Sequence, residues 1–338
     1  MILNLEQIAR LAAYQAAEVK QAGTLGPAIP IAVLRAWVND ANVEAEKLIR
    51  QVREDYFAKI LNSATGTTAV KIRGIDYTPS TSLVLTTTSQ RISLPPDFLT
   101  LKSIRCVTTG YEGIKFEHLD LAHAEFQAQL RLPTSSVFSG SGGLFYDILA
   151  DRTLWFAPAL SQNLDIELVY IARTAPLVYY ATGTLAVTDA TTAVTGATTV
   201  WSTGSKFDAN FLDLVTGTSA SATVPTPDPS LDYDGASRHR VASITNDTAL
   251  VIASNKVGTL AAGTGYFLAS VPQIPEEGHH ALADYVTGCI LATLGATNRA
   301  DWFMNRFKMR IGSIVTSAAR RQVADVEVTE EFETGDGF

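Results

Sequence analysis

Apolar residues recur at helical spacing near both ends of the chain. Leu5, Ile8 and Leu11 define one face of a helix that this pattern predicts over residues 3–20. A second run after Pro30 steps by four and three residues and comprises Leu34, Val38, Ala41, Ala45, Leu48 and Val52. It predicts a helix that continues to about residue 62 and is ~45 Å long.

The C-terminal part of the chain shows the same spacing twice. It predicts helices over residues 276–296 and 299–321, with a turn near Gly295. Long amphipathic helices are stabilised mainly by partners that cover their apolar stripes. We therefore predict a helical bundle made from residues 1–62 and 276–321.

Between these helices the pattern changes to alternating apolar and polar residues. Residues 67–174 contain several such runs, among them 144–149, 153–156 and 164–174, with a helical interlude at 116–130. Alternation of this kind is typical of antiparallel strands with one buried face. The predicted fold class is α+β, with a helical bundle and a central antiparallel β-rich region.

The segment 182–270 differs in composition from its surroundings. It is rich in threonine and contains two short strand patterns that Asn246-Asp247 would join as a hairpin. The flanking residues 175–177 and 271–275 could be connected directly if the segment were removed. We predict a small β-sandwich-like domain inserted into a core of residues 1–181 plus 271–322, followed by a tail at 323–338.

Composition and charge exclude several classes of protein. The chain has 338 residues, 46% of them hydrophobic, and a net charge of −8, which is unfavourable for a general duplex binder. Two cysteines, Cys106 and Cys289, cannot form a disulfide framework or a four-cysteine zinc site. The first residues lack a basic segment followed by an apolar one, and no apolar stretch approaches ~20 residues. We therefore expect neither a signal peptide nor a membrane span.

Motifs for catalysis are missing from the sequence. There is no GxxxxGK[ST] and no GxSxG. His279-His280 follow two glutamates, but a solvated helix start explains them better than a metal site. Asp228, Asp232 and Asp234 are interpreted as a solvated loop. We expect no enzymatic activity, no catalytic residue, no metal and no cofactor.

Aromatic residues of the inserted segment leave two interpretations open. Trp201, Tyr233 and Tyr266 could form a platform on which sugars stack. The favoured interpretation is that they belong to the core and rim of a small β domain, which needs aromatic residues for stability.

Charge is segregated near the C-terminus. Six basic residues lie in 298–321 against Asp301 alone, whereas 324–338 holds six acidic residues and no base. Such a tail is either solvated or orders on a partner, and its apolar residues favour the second alternative.

The order of these parts resembles the head-to-tail adaptor proteins of tailed bacteriophages, in particular the tail tubular protein A type of short-tailed phages. The resemblance rests on the strand 92–99 with its double proline, on the hairpin 153–159 with 165–170, and on the helix start 274–285. It covers nearly the whole chain except the inserted segment.

This resemblance implies a structural virion protein of the neck, assembled in the host cytoplasm. Expected partners are the portal protein, the tail nozzle or tail fibres, and other copies in a twelve-fold ring, with genomic DNA passing through the lumen without sequence-specific binding. The interface residues that it suggests are Arg306, Arg310, Arg320, Arg321, Val326, Val328, Glu330, Glu331, Phe332 and Phe338. The alternative function is a virion-attached module whose inserted domain recognises glycans or anchors tail fibres.

Overall fold

The α+β class is confirmed by a computed structural model of the chain. It describes residues 3–19, 29–63, 70–73, 75–131, 143–202, 211–216, 237–256 and 258–331. Two compact units divide the chain, one formed by Met1–Tyr56 with Thr174–Phe338 and the other by Phe57–Arg173. The predicted bundle and inserted domain stay predictions, and the following paragraphs describe the packing within each unit.

The helices come mostly from the two ends of the chain. They are α1 (Leu5–Val19), α2 (Ile31–Val52), α3 (Pro79–Ser82), α4 (Ala124–Leu130), α5 (His279–Thr293) and α6 (Thr297–Glu331). Two 3-10 turns, Glu54–Phe57 and Glu276–Gly278, follow α2 and precede α5.

Strands form the rest of both units. The unit Phe57–Arg173 contains β1 (Ala58–Asn62), β2 (Val70–Ile72), β3 (Ile75–Tyr77), β4 (Val84–Leu85), β5 (Arg91–Ser93), β6 (Phe98–Cys106), β7 (Phe116–His118), β8 (Leu144–Ile148), β9 (Thr153–Ala157) and β10 (Leu164–Ala172). The other unit contains β11 (Tyr179–Tyr180), β12 (Thr184–Val187), β13 (Ala193–Ala197), β14 (Leu212–Thr216), β15 (Ser237–Asn246), β16 (Ala249–Ile252), β17 (Leu260–Thr264) and β18 (Tyr266–Ser270).

Helix α5 is the central helix of its unit and packs against α1, α2 and α6. Its sequence explains this position, because apolar and small residues occupy nearly every side of the helix. Ten of its residues are buried, including Asp284 and Thr287. Helices α1 and α2 also pack against each other, and α2 packs against α6.

A reciprocal cap starts helix α1. The Asn4 side chain accepts a hydrogen bond from the Gln7 amide, and the Gln7 side chain accepts one from the Asn4 amide, each at 3.0 Å. This is the capping-box arrangement, which satisfies two amides that a helix start leaves unpaired.

The long second helix is shorter than predicted. α2 ends at Val52, and residues 58–62, which were predicted to be helical, form β1 instead. β1 pairs antiparallel with β10, and Lys59 binds the buried carboxylate of Asp97 at 2.7 Å. These long-range contacts stabilise a strand at a position where local spacing favours a helix, so the helix prediction is wrong beyond Val52.

Two four-stranded sheets enclose the core of the Phe57–Arg173 unit. One has β10 between β1 and β6, with β4 also paired to β10, and the other has the order β5-β9-β8-β7. The predicted strands at 144–149, 153–156 and 164–174 are confirmed, with Arg152 at φ 62° in the turn between β8 and β9. The predicted hairpin of 153–159 with 165–170 is wrong, because β9 and β10 pair in different sheets. The predicted strand 92–99 is also wrong, because it is interrupted between β5 and β6 at the double proline. Of the predicted helix at 116–130, only α4 is helical, because Phe116–His118 pairs with β8.

The segment predicted as an inserted domain forms a continuous strand path, β11-β18-β14-β15-β16-β13-β12-β17. β11 is followed directly by β12, and β17 by β18. The first pair of strands lies antiparallel to the second, with β11 bonded to β18 and β12 bonded to β17. β18 also pairs with β14 and β12 also pairs with β13, so the path returns on itself as a closed barrel, whereas two separate sheets packed as a sandwich were predicted. Closure removes the free edges that the terminal strands of an open sheet would expose. α1 packs against β18 in the same unit.

The C-terminal helix is longer than predicted. α6 has 35 residues and continues through Glu331, which gives it a length of about 52 Å. Most of the segment predicted as a separate tail is therefore helical. Residues 332–338 lie outside the described part of the chain.

Candidate interaction surfaces

One side of α2 exposes a stripe of side chains at heptad spacing. It consists of Val33, Ala36, Asp40, Val43 and Lys47, which we call the α2 outer face. Val33 is 37% exposed and Val43 is 47% exposed. On the opposite side, Leu34, Val38, Ala41 and Ala45 of the predicted apolar seam are buried, so the outer face does not contribute to the core. Val52 was also predicted to lie in this seam but is 64% exposed, because α2 ends there and the predicted continuation of the helix is absent.

Helix α6 has a stripe of the same spacing. Trp302, Asn305, Met309, Gly312 and Thr316 are all exposed, and we call them the α6 outer face. Trp302 is 54% exposed and Met309 is 67% exposed. Exposed apolar side chains that line up along one surface are characteristic of protein interaction sites, whereas isolated ones need no explanation.

Two predicted interface residues bind within the chain. The Arg306 guanidinium contacts Oδ1 of Asp284, and Arg310 Nη1 lies 2.8 Å from Oδ2 of the same carboxylate. Asp284 is completely buried in α5, so these contacts join α5 to α6. Arg306 also lies over the Trp302 ring, at 4.5 Å from its centroid. Stabilisation of the helix pair is thus a role for both arginines that the sequence did not indicate.

The other predicted interface residues lie further along the chain. Six of them occupy positions on α6, but their side chains lie outside the described part: Arg320, Arg321, Val326, Val328, Glu330 and Glu331. Phe332 and Phe338 lie beyond the described residues. Their role as an interface stays a prediction.

A row of polar side chains on α2, two of them buried, holds the segment that leads into the barrel. Asn39 donates to the Leu177 carbonyl at 2.9 Å and accepts from its amide at 2.7 Å. Glu46 accepts from the amide of Thr174 at 3.1 Å and from its hydroxyl, to which Asn42 also donates. These hydrogen bonds fix the register between α2 and residues 174–177, although Oδ1 of Asn42 has no hydrogen-bond partner among the described residues. Sequence periodicity missed it because the spacing matches an ordinary solvated face.

A second polar contact fixes the same side of α2. Glu6, which is 2% exposed, binds Arg35 at 2.8 Å and Arg10 at 3.0 Å. The Arg35 guanidinium also lies 3.4 Å from the centroid of the Tyr179 ring in β11. The barrel is therefore attached to the helices by specific polar contacts within one unit.

The histidine at the start of α5 is buried. Nδ1 of His279 accepts a hydrogen bond from the amide of Leu3 at 2.9 Å. Burial lowers the pKa of His279 to about 4, although the Ile274 and Pro272 carbonyls and Glu276 oppose the shift. For His279 the predicted solvated helix start is therefore wrong, since this side chain is buried and connects the beginning of α1 to α5.

This burial predicts a pH dependence of stability. The unfolded chain takes up the proton near pH 6.5 and the folded chain near pH 4, so stability is lost as pH falls between these values. Between pH 7 and pH 4 we expect the wild type to lose about 3 kcal/mol more unfolding free energy than His279→Asn, which retains an acceptor. Urea titrations at several pH values measure this difference. His118→Asn, at an exposed histidine, should behave as wild type, and parallel wild-type and H279N curves would contradict the prediction.

The candidate sugar platform is not available at the surface. Trp201 is fully buried and its Nε1 donates to the Tyr266 hydroxyl at 2.8 Å, while Tyr266 is 2% exposed. Both belong to the barrel core, which confirms the favoured interpretation for these two residues. Tyr233 and the aspartates 228, 232 and 234 lie outside the described residues.

The described residues contain no group of three or more His, Cys, Asp and Glu that could hold a metal ion. Among them there is also no helix with the length and apolar character that a bilayer crossing requires. The chain matches no protein-family model, no curated protein and no solved structure.

Proposed function

We propose that this chain is a head-to-tail adaptor of a bacteriophage virion, which forms a ring between the portal and the tail and lines the DNA exit channel. The observation that carries the proposal is the pair of exposed stripes on α2 and α6, Val33–Lys47 and Trp302–Thr316. Surfaces of this kind favour a role in assembly over a role as an isolated monomer. The order of helical and β-rich parts along the sequence also resembles that of the adaptor family.

The charge of the chain agrees with a channel component. A net charge of −8 repels phosphates and would limit adhesion of DNA as it passes. Repeated heterologous contacts between copies form a ring when the rotation closes. The barrel could contact tail fibres in such a ring, but the buried Trp201 and Tyr266 give no support to glycan recognition through stacking.

The test is native mass spectrometry of the chain mixed with the portal ring of the same genome. We expect a discrete complex that holds one ring of copies of this chain. Absence of any complex over the concentration range in which the portal ring is intact would overturn the adaptor function.

We expect the end of α6 to be needed for portal binding. A chain that ends at Gln322 loses the last nine residues of the helix and all six acidic residues that follow Val323. It should bind the portal at least about ten-fold more weakly, a loss of about 1.4 kcal/mol, with an unchanged melting temperature. Portal titrations followed by native mass spectrometry measure the change.

A full-length control separates charge from helix length. In this control the six acidic residues 325, 327, 330, 331, 333 and 336 are replaced by their amides. Weak binding by both variants attributes the effect to charge, whereas weak binding by the truncated chain alone attributes it to the apolar residues and the backbone. Binding equal to wild type by the truncated chain would contradict the prediction.

A further inference from the structure

Two glycines lie in the interior of long helices, and only one is explained within the chain. A Cβ atom at Gly288 in α5 would lie 3.1 Å from Met304 Cγ and 3.3 Å from the Ala300 carbonyl oxygen, so this glycine allows α5 and α6 to approach closely. A Cβ atom at Gly312 in α6 would meet nothing within 4 Å. Glycine destabilises a helix interior relative to alanine, so Gly312 has a cost that no described contact offsets.

Gly312 lies at the centre of the α6 outer face. Met309 precedes it by one turn and Thr316 follows by one turn, while Lys308 is exposed beside them. The pattern combines a large apolar side chain with a site where another backbone can approach. It is the same combination that Gly288 and Met304 provide between α5 and α6, where the partner helix is present.

The α2 outer face has the complementary properties. Val43 and Val33 are apolar and exposed, and Asp40 and Glu44 give this side of the helix a negative charge that Lys47 offsets in part. Neither Asp40 nor Lys308 has an ion-pair partner among the described residues. Asp40 on the α2 outer face and Lys308 beside the α6 outer face carry opposite charges, and both faces expose apolar side chains, so the two surfaces can complement each other.

We propose that the α6 outer face, centred on Met309 and Gly312, docks on the α2 outer face, centred on Asp40 and Val43, of a second copy of this chain. The contact is heterologous, because two different surfaces meet. Each copy therefore retains one free surface of each kind, and repetition gives a closed ring or a filament. This inference deepens the proposed function, on which its link to a ring depends.

The first test compares two exposed apolar residues. Met309→Glu places a charge in the proposed contact, whereas Val52→Glu makes the same change at a residue of similar exposure (64%) that is outside both faces. Sedimentation velocity of the full-length chain, alone and on the portal ring, is expected to show association at least about ten-fold weaker for M309E and unchanged for V52E. Equal behaviour of the two variants would overturn the proposal.

Gly312 gives a test that separates folding from association. Gly312→Ala should raise the melting temperature of the chain by about 1–3 °C, because the helix gains propensity and no neighbour is displaced. Gly312→Leu should fold equally well and weaken association at least about ten-fold, since its side chain fills the space that the second copy occupies. Ala292→Leu, at an exposed site on α5, serves as the control. Unimpaired association of G312L would overturn the proposal.

A charge exchange distinguishes the heterologous contact from a symmetric one. Asp40→Lys or Lys308→Glu alone should weaken association several-fold at low salt, and D40K/K308E in the same chain should restore it. In a symmetric contact between two α6 faces, D40K would have no effect and the double variant would remain as weak as K308E. Either of these results would overturn the proposal.

The same measurements separate this inference from the proposed function. Full rings of M309E and G312L on the portal overturn the α2–α6 contact and leave the adaptor function intact. Self-association that obeys the charge exchange, without any binding to the portal, supports the contact and overturns the adaptor function. A wild-type chain that neither self-associates nor binds the portal overturns both.

Discussion

Replacement of Asp284 by asparagine is expected to destabilise the helical part of the chain by about 3–5 kcal/mol. The carboxylate is fully buried and lies against Arg306 and Arg310. Asparagine has nearly the same volume, so the loss comes from charge and not from a cavity. Most of the lost unfolding free energy arises at Arg306. Its side chain is only 23% exposed, and without the carboxylate its charge remains largely buried and unpaired. Arg310 is 41% exposed and contributes less.

Urea denaturation monitored by circular dichroism at 222 nm measures this effect. Asp301→Asn changes an exposed acid of α6 and should alter the unfolding free energy by less than about 0.5 kcal/mol. Arg306→Met in the D284N background removes the unpaired arginine charge and should recover part of the lost unfolding free energy. A change below about 1 kcal/mol for D284N would show that water reaches this carboxylate in the folded chain.

Replacement of Trp201 by alanine is expected to cost about 3–5 kcal/mol, because it empties the centre of the barrel. The indole is fully buried and packs edge-to-face on the Tyr266 ring, with centroids 5.8 Å apart. Its Nε1 donates to the Tyr266 hydroxyl, which itself donates to the Thr182 carbonyl at 2.7 Å. Gly196 is required at this place, since a Cβ atom there would lie 2.8 Å from the indole.

Near-ultraviolet circular dichroism and thermal unfolding report this loss. Trp302→Ala is the matched control, because Trp302 is 54% exposed and should cost about 1 kcal/mol or less in the isolated chain. Trp201→Phe keeps most of the buried area but removes the donor, so it separates packing from the hydrogen bond. Equal stabilities of W201A and W302A would contradict the burial of Trp201.

The sequence determined those elements whose stability depends on their own residues. The apolar seam of α2 from Leu34 to Ala45 is buried as its spacing predicts, and β8, β9 and β10 occupy the predicted alternating runs. The hairpin turn at Asn246-Asp247 also follows from local chemistry. In each case periodicity and turn residues favour the same conformation that tertiary packing stabilises.

Only the tertiary structure decided which polar residues are buried and where local preference is overridden. Asn39, Asn42 and Glu46 look like a solvated stripe, and their partners Thr174 and Leu177 are more than 125 residues away in the sequence. Residues 58–62 form a strand because β10 pairs with them, and the barrel closes because distant strands meet. Pairing of this kind depends on segments far apart in the chain, which a pattern of neighbouring residues does not contain.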